Sequence, residues 1–535
     1  MRKFFFFLLF PLFLSAQNRD ISYLSSGGKL NPLQAIMDVR HYTIALEVDI
    51  DKKNIQGSTE IDVVLSKPSD TLLFDLIHLY TVEKINVNNK PVQFLQKNDK
   101  IYITSGAAFS SGKQLVKIFY GGEPPIAVRP PWFGGFTFTK DRSGNPWVVI
   151  NCQKEGARIY FPCKDHPSDE PNEGVDMFIT VPEALVVAGP GLLQGVTTAK
   201  SKKTFHWKTN YTISGYTTVF NIGKYKVVSD EYTTINGTKV PIQFYVLEED
   251  VAQAAKVIET KKRDTKVLEK YFGEYPWAKE KIGIAAVPNP GMEHQTMITF
   301  QNKFDYTKIG GQDYSANLFH EYAHEWFANK VTNKDWAHEW IQEGIATYAE
   351  ALIHFELGGQ EAYDQLITRH RLSIRSKKPM VLADEGISED ETYSGANDIY
   401  TKGSFMMHTL RYIIGDAIFL PTLKKLATDP QYTYDNFVTT TDVERLFSNA
   451  SGQDLKPFFD FFTRTADVLD IVVKQTSFQK YSIKINNWFM PLPVEITTMT
   501  GTEKIIIGKD GVTITSTTPP MVDAKSFYLK KVLIQ

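Results

Sequence analysis

Two histidines and a glutamate in His320-Glu321-Tyr322-Ala323-His324 are followed, nineteen positions after His324, by Glu343 within Trp340-Ile341-Gln342-Glu343-Gly344. On a helix, residues four apart project from nearly the same face, so both imidazoles reach one metal from a single rigid element. Glu343 can supply a third ligand if a turn through Asn333-Lys334-Asp335 returns a second helix, roughly Trp340 to Phe355, onto the first. Three protein ligands leave one position for water, which marks a catalytic zinc; a structural zinc has all four positions filled by protein. Glu321 lies on the same helix face and can act as general base toward that water, whose pKa zinc lowers to about 7. The pattern implies one zinc per chain and hydrolytic chemistry.

The elements that must position these residues read as α+β in several domains. At about 150 residues per domain, 535 residues suggest three or four units, and 42% hydrophobic with 13% aromatic residues supplies their cores. From about Tyr42 to Val228, apolar and polar residues alternate in short runs such as Tyr42-Thr43-Ile44-Ala45-Leu46-Glu47-Val48, which predicts an all-β domain over residues 17–230. The turn-rich, aromatic stretch Pro124 to Gly135 reads as an ordered loop, bordering the active site or plugging the β core. Helical periodicity begins at Val251 and continues through Phe272 to the breaker Gly273. It recurs at the metal motif, Gly403 to Ile414, Val443 to Phe447 and Leu455 to Phe462, which defines a mainly helical domain over 231–465. Apolar runs at Tyr481–Ile485, Val494–Ile496, Lys504–Ile507 and Phe527–Leu529 predict a small β-sandwich over 466–535.

The chain opens with basic Arg2-Lys3, an apolar run from Phe4 to Leu14 broken by Pro11, and Ser15-Ala16-Gln17. That order predicts a signal peptide over residues 1–16, cleavage near Ala16 and export to a periplasm or beyond the cell. No later segment is apolar and long enough to cross a membrane, so the mature chain is expected to carry no transmembrane segment. A formal charge of -2 gives no basic field for nucleic acid. The two cysteines, Cys152 and Cys163, read as buried small hydrophobes more readily than as a disulfide.

Four stretches in order resemble the M1 zinc aminopeptidases, gluzincins typified by aminopeptidase N and leukotriene-hydrolase relatives. Gly291-Met292-Glu293-His294-Gln295 is similar to the family's exopeptidase motif, and the metal motif with Glu343 matches in type and spacing. Tyr400-Thr401-Lys402-Gly403 looks like its tyrosine box, while Gln153 and Ala157 to Asp165 resemble the end of its N-terminal domain. The resemblance implies a thermolysin-like catalytic domain and an enzyme that removes the first residue of peptides with a free N-terminus. It also implies that Tyr400 steadies the oxyanion, with Tyr393 the lesser alternative, and that Gly291, Met292, Glu293 and Gln153 bind substrate. The residues support part of this independently, since a carboxylate next to a flexible glycine can hold an α-ammonium.

His294 stands where the family pattern has Asn, which suggests a pH-tuned ammonium pocket. Glu350 and Glu325 are candidates to orient ligand imidazoles, whereas His338 and His294 lie off the metal face. No long helical segment follows residue 465, so the resemblance implies a more open active site. Rival readings keep the metal and make the protein an endopeptidase or small-molecule hydrolase, or a noncatalytic binding protein.

Overall fold

The computed structural model describes residues 20–394 and 398–535; the expected leader falls outside them. The N-terminal unit is built on an eight-stranded sheet in which Met37–Asp49 pairs antiparallel with Asn54–Leu65 and parallel with Val175–Pro182. Tyr42, Ile44, Leu46 and Val48 are buried in alternation, as their sequence pattern requires of a strand with one face on a core. A register shift between Val39 and His41 moves the buried positions from odd to even, which keeps Met37 and Val39 in the core as well. Cys152 and Cys163 are free and buried.

A second sheet carries the helical unit. Its order is Tyr225–Thr233, Lys239–Leu247, Ile282–Val287, Ile298–Gln301, the last three strands parallel to one another. Ile282–Val287 is buried at every position, as a parallel strand covered on both faces should be. The strand Tyr225–Thr233 crosses the expected boundary at 230 and belongs wholly to this sheet.

Among the described residues eight α-helices follow one another: α1 Ala254–Phe272, α2 Ala316–Ala323, α3 Trp340–Ser373, α4 Glu389–Tyr393, α5 Asp398–Ile414, α6 Asp416–Thr428, α7 Thr440–Ser451 and α8 Lys456–Arg464. Gly273 at φ 85° ends α1, a conformation that costs glycine little. The Ser315 side chain caps α2 by accepting from the Leu318 amide. The turn expected at Asn333-Lys334-Asp335 is present. The Asp335 carboxylate accepts from Ala337 N at 3.0 Å and from Gly386 N at 2.8 Å, so it starts the chain toward α3 and ties down the segment before α4. Beyond the expected end at Phe355, α3 continues through a kink at Gly359. α3 and α5 cross at Gly344 and Gly403, where a Cβ on Gly403 would lie 2.8 Å from the Gly344 Cα. That contact lets Glu343 and Tyr400, on the two crossing helices, converge.

The C-terminal unit consists of a four-stranded and a three-stranded sheet. The expected strand at Phe527–Leu529 is absent. Asp523 accepts from the amides of Phe527 and Tyr528 at 2.8 and 3.1 Å and holds them in a turn, and the strand begins at Lys530. The ring of Phe527 instead stacks on Tyr412 of α5, fastening the unit to the helical one. No helix among the described residues is long and apolar enough to cross a membrane.

Candidate metal centre and active site

His320 lies in the last turn of α2, and His324 caps it with φ and ψ still helical, so the four-residue spacing brings both rings to one side. Their Nε2 atoms are 3.1 Å apart, and Glu343 Oε2 lies 3.2 Å from the first and 3.3 Å from the second. Tetrahedral zinc with bonds of about 2.0–2.1 Å separates its ligand atoms by roughly 3.3 Å, so the donor set fits that ion. Each imidazole is fixed from behind: His320 Nδ1–H donates to Glu350 Oε1 at 2.9 Å, and His324 Nδ1–H donates to the Phe327 carbonyl at 2.9 Å. Both Nε2 lone pairs therefore face the centre. Burial alone would raise the Glu343 carboxyl, but the two imidazoles hold it far below the usual range, so it is ionised.

Glu321 is buried beside this centre and accepts from Asn317 Nδ2 at 2.8 Å. Burial, opposed by His320 and reinforced by the charge of Glu293, pushes its carboxyl up to about 7, which suits a proton carrier near neutrality. Asn317 also accepts from Gly291 N at 3.3 Å and so couples the base to the exopeptidase stretch. That residue was not singled out in the sequence, although its place one turn before Glu321 was a usable signal.

Gly291 to His294 is a buried loop, joined to Thr299 by a β-bridge from Met292. A Cβ on Gly291 would lie 2.3 Å from the Thr299 carbonyl, so only glycine permits the approach. Met292 and Glu293 face the same cavity as the three ligand residues. The Glu293 carboxylate accepts from Tyr216 OH at 2.8 Å, and Asn329 Nδ2 donates to its main-chain carbonyl at 2.8 Å. Tyr216 lies 77 positions from Glu293, and nothing local in the sequence marks it.

Gln153 lines the cavity, not the β core, and its Nε2 reaches Tyr393 OH at 3.4 Å. Tyr393 and Tyr400 both donate to Glu343 Oε1 at 2.9 Å, which puts the two tyrosines on an equal footing at the centre. Burial and the Glu343 charge hold both phenols protonated well above the ordinary tyrosine range. Arg129, Trp132 and Phe133 of the turn-rich loop border the same cavity, which has a volume of about 1050 Å³.

Two expectations need correcting, for Glu325 and His294, while His338 stands off the metal face as expected. Glu325 does not orient His324, because it lies past the end of α2, in a turn that carries its side chain toward the helical core. It accepts instead from Trp277 Nε1 at 2.6 Å and Thr296 N at 3.0 Å, tying the exopeptidase loop to the helical core. His294 is no pH sensor of the pocket, since burial drives its pKa down to about 3 and leaves it neutral. His338 is structural, spanning Thr440 Oγ1 at 3.0 Å and the Asp384 carbonyl at 2.9 Å.

A β unit leads into a helical one, and a triad that fits zinc lies between α2 and α3. Residues 39–217 match the Peptidase M1 N-terminal domain and residues 257–462 the Peptidase family M1 domain. The chain belongs to peptidase family M1. Tricorn protease-interacting factor F2 of Thermoplasma acidophilum is 22% identical over 90% of this chain and 61% of its own length. Human endoplasmic reticulum aminopeptidase 1 is 24% identical over 70% of this chain and 42% of its own, and leukotriene A-4 hydrolase of Xenopus laevis 24% over 61% and 52%. The chain thus spans about half the length of these relatives. A mutant M1 zinc metallopeptidase of Deinococcus radiodurans, solved with a Tyr-Ser-Ala substrate, superposes with a TM-score of 0.68 at 22% identity. The match covers 81% of this chain and 96% of that one, and shows a common fold.

Proposed function

We infer that the protein is an exported zinc aminopeptidase, which hydrolyses the first peptide bond of substrates with a free N-terminus. The observation that carries this reading is Glu293. Its carboxylate, held by Tyr216, opens into the same cavity as the metal-ligand triad and Glu321, so an α-ammonium bound there delivers the first carbonyl to the reacting groups. Export rests on the order of residues 1–16. Membership of the M1 family, with relatives named as aminopeptidases, supports the reaction class.

His320, His324 and Glu343 would hold the zinc, which when bound polarises the scissile carbonyl and acidifies water. Glu321 takes a proton from the attacking water and passes it to the departing amine, so no covalent bond to the protein forms. Tyr400 and Tyr393, kept protonated and donating to Glu343 here, lie at the centre, where either hydroxyl can turn to the oxygen on which charge develops. Asn317 keeps Glu321 in register with the loop that holds the substrate amine.

The test pairs free-amine aminoacyl amides with their N-acetylated counterparts, before and after chelation and zinc restoration. Zinc-restorable cleavage confined to free amines is expected. Cleavage of acetylated peptides would make the protein an endopeptidase, and no cleavage by fully zinc-loaded protein would make it a binding protein.

A further inference from the structure

Five carboxylates line the active-site cavity: Glu293, Glu321, Glu343, Glu389 and Asp390. Four have donors. Glu293 is held by Tyr216, Glu321 by Asn317, and Glu343 by the histidines and two tyrosines. Asp390 pairs with Lys154 Nζ at 3.1 Å, and that ammonium is further committed to the carbonyls of Ser22 and Leu24. Glu389 is only 7% exposed, and among the described residues its carboxylate has no hydrogen-bond or ion-pair partner. A buried carboxyl left unpaired is costly, and one that faces a cavity is poised for a partner from the ligand.

The backbone that presents Glu389 is pinned. Glu389 N donates to the Ser26 carbonyl at 3.1 Å, Asp390 N to Ser25 Oγ at 2.9 Å, and Gly28 N to the Ile387 carbonyl at 3.1 Å. A segment at the start of the described chain therefore clasps the loop that leads into α4. Lys154 is engaged by Asp390 and by the carbonyls of Ser22 and Leu24, and Arg129 lies against the rings of Trp132 and Phe133. Along the chain, Glu389 lies four residues before Tyr393, whose hydroxyl contacts both Gln153 and Glu343, so it borders the wall next to the reacting centre.

We propose that Glu389 is a specificity-determining residue that selects substrates whose N-terminal residue carries a cationic side chain, lysine or arginine. The proposal rests on the aminopeptidase reading, in which Glu293 takes the α-ammonium and leaves Glu389 for a second positive charge. Burial, with Asp390 and Glu155 adding to it, pushes the Glu389 carboxyl up to about 8. The Lys154 ammonium, already engaged by Asp390, offsets this only in part, so an entering guanidinium or ammonium supplies the direct ion pair that Glu389 lacks among the described residues. A neutral N-terminal side chain would leave the carboxyl desolvated and unpaired, and a site built around a polar group discriminates against ligands that cannot pair with it.

The test measures kcat/KM for arginyl, lysyl, leucyl and alanyl amides with wild-type zinc-loaded protein and with Glu389→Gln, alongside metal content and thermal melting. Wild-type protein is expected to prefer arginyl and lysyl over leucyl substrates at least about tenfold. Glu389→Gln is expected to abolish most of that preference while leucyl turnover changes less than about threefold. Equal rates on arginyl and leucyl substrates in the wild type overturn the specificity proposal and leave the aminopeptidase reading standing. A uniform loss across all substrates in Glu389→Gln, with melting and zinc content like wild type, assigns the residue to the α-ammonium and also overturns it. Absence of hydrolysis from the whole panel overturns both. The wild-type arm decides the matter even if the variant does not fold.

Discussion

Replacing Glu350 weakens zinc without touching a ligand. Its Oε1 accepts the His320 Nδ1 proton at 2.9 Å and leaves the Nε2 lone pair for the metal. A hydrogen bond to a charged acceptor contributes about 1.5–3 kcal/mol and a neutral one about 0.5–1.5, so Glu350→Gln loses roughly 1–1.5 kcal/mol of support for the imidazole. The Glu350 side chain is 16% exposed, and partial solvent access keeps the effect at the lower end of the range for such groups. Zinc affinity is therefore expected to fall about tenfold in Glu350→Gln. In Glu350→Ala, where the acceptor itself is gone, the fall approaches about a hundredfold. Competition against a chromophoric chelator measures both, and circular dichroism verifies the fold. Affinities within twofold of wild type in both variants, with the fold intact, would refute the assignment of Glu350 to His320.

Tyr400→Phe is expected to lower kcat about 10²-fold with KM changed less than threefold, as for loss of an oxyanion donor. Tyr393→Phe should cost less; steady-state kinetics on one free-amine substrate compares the two, and a larger kcat loss at Tyr393 would exchange their roles. Lys261 is buried with Nζ against the Leu318 carbonyl, and burial pushes its ammonium down to about 7. The unfolded chain keeps that proton up to about pH 10.4, so Lys261 destabilises the fold fully below about pH 7, and the cost fades as pH rises toward 10. Lys261→Met should stabilise the protein by a few kcal/mol, on the order of the pKa displacement, at pH 6.5 and far less at pH 10. Urea unfolding at the two pH values checks this, and an equal effect at both would contradict it.

What the sequence made legible is local. The metal site could be read because its ligands sit within one helix, one turn and the next helix, and helical spacing fixes which side chains share a face. The alternation in Met37–Asp49 could be read because a half-buried strand imposes period two. Tyr216 and Glu389 were not legible, since each joins the site through contacts between distant segments that no short motif encodes. Glu325 misled because adjacency to His324 in sequence is not adjacency in space: α2 ends at Ala323, and the turn beyond it sends Glu325 to Trp277 and Thr296. Phe527–Leu529 misled because a three-residue apolar run reads alike in a strand and in a buried turn, and the carboxylate of Asp523 decides between them.

The most direct test of the central claim compares wild type with Glu321→Gln for zinc content and for turnover of a free-amine aminoacyl amide. One zinc per chain in both proteins is expected, with turnover in the wild type reduced at least about a thousandfold in the variant, because glutamine keeps the contact with Asn317 but cannot carry the proton. Comparable turnover in the two zinc-loaded proteins would show that Glu321 is not the base, and loss of zinc from the variant would show that it serves the metal site instead.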